Sequence, residues 1–507
     1  MNIFKKSFIV LMVLIVFGQT SLVDADSRSD SSSYTAIDQY IEQQMKRLNL
    51  PAVSLAIVEN QEIVYMQGYS EAAPGGGIPS PQTNFIIGST TKSFTALAVM
   101  QLVEEGKINL DAPVQDYLPW FRVADPEASA QITVRNLLNQ NSSLPLMPAW
   151  QQLADFDARA DATERQTRAL ETLQLARPVG SAFEYSNVNY NILGLIIEAA
   201  SGESYPAYIQ KHIFDPLEMN NSYTSKTGAN PEDMAVGHLT WFGMPAAVPD
   251  LPIPAGSIPS GQLVSNAEDM AHYLIAHLND GIYGDVQLVS SAGMAELHYP
   301  AVPAISAGVD MGFYGMGWYI DEREGMPLIQ HTGMVPDYYT YMAMLPEEKI
   351  GVIMLVNANY LTHEISLTEI GEGVTMLAAE KQPAPIQFGV IPWLIRATLL
   401  IPLLQIFGVI TTFRMVRSWR RDTQRIPGRR RMWWQHIIIP ALLNMILITC
   451  GLLIVTSTVR GFLLLFMPDL SWLAMICGGF ALVWLPLRTT MILRAYSDSQ
   501  KSDKMSE

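Results

Sequence analysis

Ser89 and Lys92 stand three positions apart in Gly88-Ser89-Thr90-Thr91-Lys92, the one S-x-x-K spacing in the 507 residues. At a helix start this spacing puts both side chains on one face, one turn apart. An amine there takes the proton of a hydroxyl, which a serine nucleophile needs because a free hydroxyl attacks poorly. The residues after Lys92 read as a helix to Glu105, stopped by Gly106, and Phe94–Val103 is apolar nearly all round. Such a helix belongs in the middle of a domain. Ser89 then sits where backbone N–H groups and the helix dipole favour negative charge. The plainer reading is a polar helix start with a snorkelling Lys, so the partners of this pair matter.

Three further stretches supply partners. Tyr185-Ser186-Asn187 offers a phenol that relays a proton when nearby cations lower its pKa, and an amide that holds a carbonyl or the Lys. His331-Thr332-Gly333 ends a β-rich run. A donor, a hydroxyl and a residue without a side chain let a substrate backbone lie along a sheet edge. Asn139–Pro145 is a polar loop suited to wall a site. Each also has a plain reading, as an aromatic loop, a turn and a linker. A literal Lys226-Thr227-Gly228 lies in a polar turn near Pro231 with no readable strand, so it is not counted with these.

The elements that must position these residues follow from periodicity. Ile37–Leu48 has helical spacing. Val53–Val58 and Glu62–Met66 read as an antiparallel pair. Ala73–Pro81 is a Gly/Pro loop. Residues 107 to 310 are mostly helical segments and long loops, including Ile132–Leu138, Tyr190–Ser201 before Gly202, and Tyr205–Leu217. Ser265-Asn-Ala-Glu268 has the form of a capping box ahead of an apolar helix, Met270–Leu278. Gly315–Ile320, Leu328–Thr332, Tyr338–Leu345 and Ile350–Asn357 are β-rich, and a helix over Ile365–Glu380 closes the domain. The expected fold is α+β: an antiparallel sheet built from both ends of the domain, flanked by helices, with an all-helical lobe inserted.

Charge divides the chain. Residues 387–507 hold 14 Lys/Arg against 5 Asp/Glu, a balance of +9, which leaves −25 on the rest of a chain whose net charge is −16. The acidic part argues against nucleic acid as a partner. Cys450 and Cys477 are the only cysteines, both near the C-terminus, so no Cys-based metal site or disulfide is expected in the soluble part. Residues 1–25 read as a secretory signal: Lys5 and Lys6, an apolar Phe8–Phe17, then Val23-Asp24-Ala25. The expected organisation is a signal at 1–25, an extracytoplasmic domain at 26–386, a membrane domain at 387–495 and a cytoplasmic tail at 496–507. Three spans are expected, at about 391–413, 437–459 and 470–487. Eight Arg residues between Arg414 and Arg431 separate the first two spans. The positive-inside rule puts that loop in the cytoplasm and residues 26–386 outside. The spans would contact lipid. They carry almost no intramembrane charge, which disfavours a transporter.

Taken together, the chain resembles the serine β-lactamase and penicillin-binding-protein-like superfamily, in its class C, D-aminopeptidase and esterase-like branch. The marks of that family are S-x-x-K, Y-x-N and a K-T-G or H-x-G strand in that order. Longer matches carry the resemblance: Phe85-Ile-Ile-Gly-Ser-Thr-Thr-Lys92, Ile132–Leu138, Tyr185–Ser201, Ile213-Phe-Asp-Pro-Leu-Glu-Met219 and His331–Asn357, over about residues 35–380. The resemblance implies that Ser89 forms an acyl-enzyme with Lys92 as base and Tyr185 as proton shuttle. It implies that Asn187 positions substrate, that the N–H groups of Ser89 and Met334 form an oxyanion hole, and that His331, Thr332 and Gly333 line the substrate's polar end. It implies no metal and no cofactor. The family loop His-Thr-Ser-Gly-Leu reads Gln140-Asn-Ser-Ser-Leu144 here. His in place of Lys at 331 weakens a claim to β-lactamase activity, because a His is not a fixed charge at neutral pH.

The signal, the S-x-x-K domain and the three spans resemble the prodrug peptidases that remove an N-acyl-D-amino-acid cap, such as the colibactin-activating one. A small-molecule or peptide substrate is implied. A D-amino-acid peptidase, an esterase, a weak β-lactamase, a maturation peptidase and a non-catalytic sensor all remain open, as do the oligomeric state and any role of the spans beyond anchoring.

Overall fold

The computed structural model describes residues 30–506 apart from 71–77, 147, 149–150, 152–154, 249–250, 307 and 387–389. The expected signal segment, most of the Gly/Pro loop and Phe388 lie outside the described residues.

A central antiparallel sheet has eight strands: β1 (Ala52–Glu59), β2 (Glu62–Ser70), β5 (Val302–Ser306), β6 (Val309–Tyr314), β7 (Tyr319–Arg323), β8 (Met326–Val335), β9 (Tyr338–Leu345) and β10 (Ile350–Val356). Their order is β2–β1–β10–β9–β8–β7–β6–β5, so the first strands of the domain pair with its last. A small sheet joins β3 (His238–Trp241), β4 (Met244–Ala247) and β11 (Ala358–Asn359), with β3 in the middle.

Strand alternation explains the layers. Val53, Leu55 and Ile57 of β1, Tyr339 and Tyr341 of β9, and Val352 and Met354 of β10 face helices α1 (Asp30–Leu48) and α5 (Glu364–Ala378). Their neighbours Ala56, Val58, Met342, Ile353 and Leu355 face the opposite core with α4 (Ala267–Leu278) and the helical lobe. Both faces are covered, so every residue of β9 and β10 is buried. That is why these strands read as continuous apolar runs. The lobe packs around α2 (Thr91–Glu104), buried at each position from Thr91 to Met100, and α3 (Asn187–Ser201). Leu97 is fully enclosed. Truncating such a Leu to Ala costs about 2–5 kcal/mol.

Several expectations change in detail. Of Gly315–Ile320 only Tyr319 and Ile320 are strand, the start of β7; Gly315–Trp318 is a turn, in which Gly315 N–H bonds the Trp318 carbonyl and Gly317 has φ +86°. The strands before it, β5 and β6, were not expected. Pro303, Gly308 and Gly312 interrupt their alternation. The capping residue of α4 is Asn266, whose side chain accepts from Asp269 N–H, rather than Ser265. Tyr205–Leu217 is α-helical only to Ile209 and then widens into a π turn, Gln210–Phe214. Lys226–Gly228 forms a 3₁₀ turn, in keeping with its exclusion.

Among the described residues, three helices are long and apolar enough to cross a membrane, over Ile391–Arg421, Arg429–Thr456 and Pro468–Asp498. The first two contain α6 (Leu400–Arg421) and α7 (Ile439–Thr456), and the third is part of the longer α8 (Pro468–Ser506). Gly451 and Gly478 bring α7 and α8 together. A β-carbon on Gly478 would lie 2.7 Å from the Leu447 carbonyl oxygen. Small residues at this crossing allow the close backbone approach that packs helices in lipid. Leu442, Leu453, Ile476 and Val483 on these helices are exposed.

Candidate active site

Ser89 lies in a 3₁₀ turn, Gly88–Thr90, that leads directly into α2. The turn is held by Thr90, whose hydroxyl donates to the Ile87 carbonyl at 2.7 Å. Gly88 adopts φ +57°, which favours glycine. One helical turn on, Lys92 is fully buried. Its Nζ donates to Ser89 Oγ at 2.9 Å and to the Ser260 carbonyl at 2.7 Å. The amine also lies 4.9 Å from the Tyr185 ring centre and 5.8 Å from that of Tyr190. Burial drives the Lys92 pKa well below the ordinary lysine value. A neutral amine beside the hydroxyl is what a general base requires.

The Ser89 hydroxyl beside Tyr185 favours the ionised phenol, yet burial keeps the Tyr185 pKa raised and the Glu364 carboxylate adds to the rise. The resting residue is therefore a protonated phenol. The chain behind it is locked by the Asn139–Pro145 loop. Gln140 Oε1 accepts from Ser186 N–H at 2.9 Å, and Ser186 Oγ donates to the Pro145 carbonyl at 3.0 Å. Gln140, in the place of the missing His, thus braces the Tyr185 segment. Asn187 opens α3, and its side-chain oxygen is buried without a partner. It is a ready acceptor at the edge of the site.

The His331–Met334 segment belongs to β8, an inner strand of the sheet. β7 pairs with β8 only from Met326 to Gln330. Beyond that point β8 pairs on its β9 side, Val335 opposite Tyr338, and its other flank meets the Ser89 turn. A β-carbon on Gly88 would lie 2.5 Å from the Met334 nitrogen. The backbones of the Ser89 turn and of Met334 are therefore in contact, where an oxyanion pair of amides would lie. His331 is buried. Its Nδ1 lies 2.6 Å from the Thr332 carbonyl and its Nε2 3.4 Å from the Tyr314 hydroxyl. Burial pushes its pKa down to about 3. The imidazole is neutral and cannot serve as a cation at pH 7.

Two contributors were invisible in the sequence. Ser260 acts through its backbone carbonyl, which any residue type supplies; the helical turn Ile258–Gly261 presents it. Glu364, the first residue of α5, is a half-buried carboxylate that makes no side-chain hydrogen bond or ion pair among the described residues. Burial raises its pKa, and its charge acts on Tyr185, Tyr319 and Tyr339. No cluster of three or more His, Cys, Asp or Glu side chains suited to a metal occurs among the described residues.

A two-sided sheet with an inserted helical lobe, and a serine and a buried lysine at their junction, define a serine-nucleophile hydrolase fold. The chain belongs to the beta-lactamase family, whose profile matches residues 37–370. It is similar to Protein flp of Staphylococcus aureus. In strain MW2 the match is 27% identical over 66% of this chain and 64% of the relative, so the chain spans just under two-thirds of that protein. In strain COL it is 26% identical over 90% of each. Penicillin-binding protein 4 of Amycolatopsis lactamdurans is 29% identical over 55% of this chain and 73% of that protein. Among solved structures, the octameric penicillin-binding protein homologue from Pyrococcus abyssi superposes with a TM-score of 0.60 at 30% identity, covering 69% and 78% of the two chains. D-amino acid amidase from Ochrobactrum anthropi SV3 shares the fold, with a TM-score of 0.59 at 23% identity over 69% and 99%.

Proposed function

We propose that this protein is a membrane-anchored, outward-facing hydrolase that cleaves amide or ester bonds of D-amino-acid-containing peptides or related compounds. The observation that carries this reading is the fully buried Lys92 amine 2.9 Å from Ser89 Oγ. Ser89 Oγ attacks the substrate carbonyl carbon while Lys92 takes its proton. The oxyanion rests on the N–H groups of Ser89 and Met334. Tyr185 passes a proton to the leaving amine or alcohol as its bond to carbon breaks. Water then attacks the ester on Ser89 and releases the acid. Asn187 receives a substrate N–H on its unpaired oxygen, and Thr332 and Gly333 line the strand against which the substrate lies. His331 backs this wall as a neutral imidazole.

The D-amino-acid preference draws on the similarity to a D-amino acid amidase and to penicillin-binding proteins. The outward orientation draws on the eight Arg residues from Arg414 to Arg431, gathered where the first two apolar helices are joined. The test is the intact mass of the full chain in detergent after exposure to a penicillin, with Ser89→Ala as control. A lasting adduct that vanishes in the variant supports a penicillin-binding role, and a decaying one a β-lactamase. Without an adduct, a panel of acyl-D-amino acids and simple esters decides between peptidase and esterase. Failure of every substrate and of serine-directed labelling would overturn the reading in favour of a binding protein.

A further inference from the structure

The turn between β3 and β4 is held from three sides. Phe242 and Gly243 form it with φ +50° and +82°, and both of their carbonyls and one of their N–H groups are taken by other elements. Asp469, at the start of α8, accepts from Phe242 N–H at 2.8 Å. Arg396, in the helix ahead of α6, donates from Nε to the Phe242 carbonyl at 3.2 Å. Asn49, just past α1, donates to the Gly243 carbonyl at 3.0 Å. Gly243 has no room to grow: a β-carbon would lie 2.7 Å from the Arg396 guanidinium.

Asp469 is 1% exposed. A carboxylate so placed needs donors, and it has two besides Phe242. Tyr360 OH lies 2.9 and 3.0 Å from its two oxygens, and Leu470 N–H is 2.8 Å away. Its position in the first turn of α8 also suits the positive end of the helix dipole. Tyr360 follows β11 directly. β11 pairs with β3, Ala358 with His238 and Asn359 with Leu239. The Asn359 side chain donates to the Val335 carbonyl at 2.7 Å. Val335 adjoins Met334. An unbroken run of hydrogen bonds and paired strands therefore leads from the top of the third apolar helix to the strand beside Ser89.

We propose that Asp469 and Arg396 clasp the Trp241–Met244 turn and, through β11 and Asn359, hold the Met334 segment of β8 in place against Ser89. This rests on the acyl-enzyme reading of Ser89 given above. The membrane helices then complete the hydrolase as well as anchoring it, and Asp469 is a positioning residue that touches no substrate. The clasp has a reason to be polar. Two apolar surfaces at the membrane boundary would slide or exchange with lipid, whereas a buried carboxylate shared by three donors fixes one orientation.

The test uses the full chain in detergent and in lipid nanodiscs, with a fluorophosphonate probe for Ser89 and amide hydrogen exchange read by peptide mass. Asp469→Ala is expected to slow labelling about tenfold or more and to raise exchange at both 238–247 and 331–337. Asp469→Asn, which keeps an acceptor for Phe242 N–H, is expected to restore labelling to within about threefold. Tyr360→Phe keeps the ring and removes one hydrogen bond, so it reports on the same path if Asp469→Ala fails to fold. Unchanged labelling in both Asp469→Ala and Tyr360→Phe would overturn the proposal. So would raised exchange confined to the hairpin, or slowed labelling without any change at 331–337. If the unmodified chain fails to label at all, the acyl-enzyme reading falls, and exchange at 331–337 alone decides whether the clasp reaches β8.

Discussion

A β-carbon on Gly333 would overlap the carbonyl oxygen of Ile87, two residues before the nucleophile. The third motif of the site thus meets the first through bare backbone, and the glycine is there to permit that approach. Gly333→Ala must push β8 away from the Ser89 turn. We expect it to lower stability by about 1–3 kcal/mol and to abolish serine labelling. Thermal unfolding and fluorophosphonate labelling of the same preparation check both effects.

In the proposed mechanism Lys92 and Tyr185 serve different steps. Lys92→Met removes the base and is expected to reduce acylation by about 10²–10⁴-fold. Tyr185→Phe keeps the ring beside the amine and removes the phenol proton. Its effect should be largest for substrates with poor leaving groups and smallest for activated esters, because the latter need no proton on departure. Acylation rates for an amide and an aryl ester of the same acid distinguish the two roles.

Gln140→Ala leaves the Ser186 N–H and the Asn189 amide without their acceptor in a buried place. The expected cost is about 1–3 kcal/mol, together with a rise in KM as the Tyr185–Asn187 segment loosens. A melting curve and a KM measurement on one substrate suffice.

Acid stability follows from buried imidazoles. Burial holds His363 down to about 4 and His331 down to about 3, below the ordinary histidine value of about 6.5. Between pH 6.5 and 4 the unfolded chain binds protons on these groups that the folded chain refuses. Stability is therefore highest above pH 6.5 and falls as the pH drops through that window, by about 1.4 kcal/mol per pH unit for each such group. Denaturation midpoints at pH 7.5, 6 and 5 test the slope, and His363→Phe should flatten it.

Much of this site was legible because its chemistry depends on side chains at short spacing. Ser89 and Lys92 are one helical turn apart, and the apolar run after them marks a buried helix. β1 and β2 were legible as an alternating pair with Glu59-Asn60-Gln61 between them. What escaped reading depends on backbone or on distance along the chain. The Ser260 carbonyl that holds Lys92 has no residue signature. Glu364 reaches Tyr185 from 179 positions away. β5 and β6 expose Ile305, Val309 and Phe313, so no buried face imposes a clean alternation on them.

The register of the sheet also sets the order of assembly. Val53 pairs with Val356, about 300 residues later. β1, with seven of its eight residues buried in the finished fold, must wait as an apolar, unpaired strand through nearly the whole domain. Long-range antiparallel closure of this kind is slow and leaves sticky edges exposed while it is pending. Ser89 emerges in that interval with Lys92 beside it but without Met334 to complete an oxyanion hole. The chain brings these groups together only when its last strands arrive, just ahead of its long apolar helices.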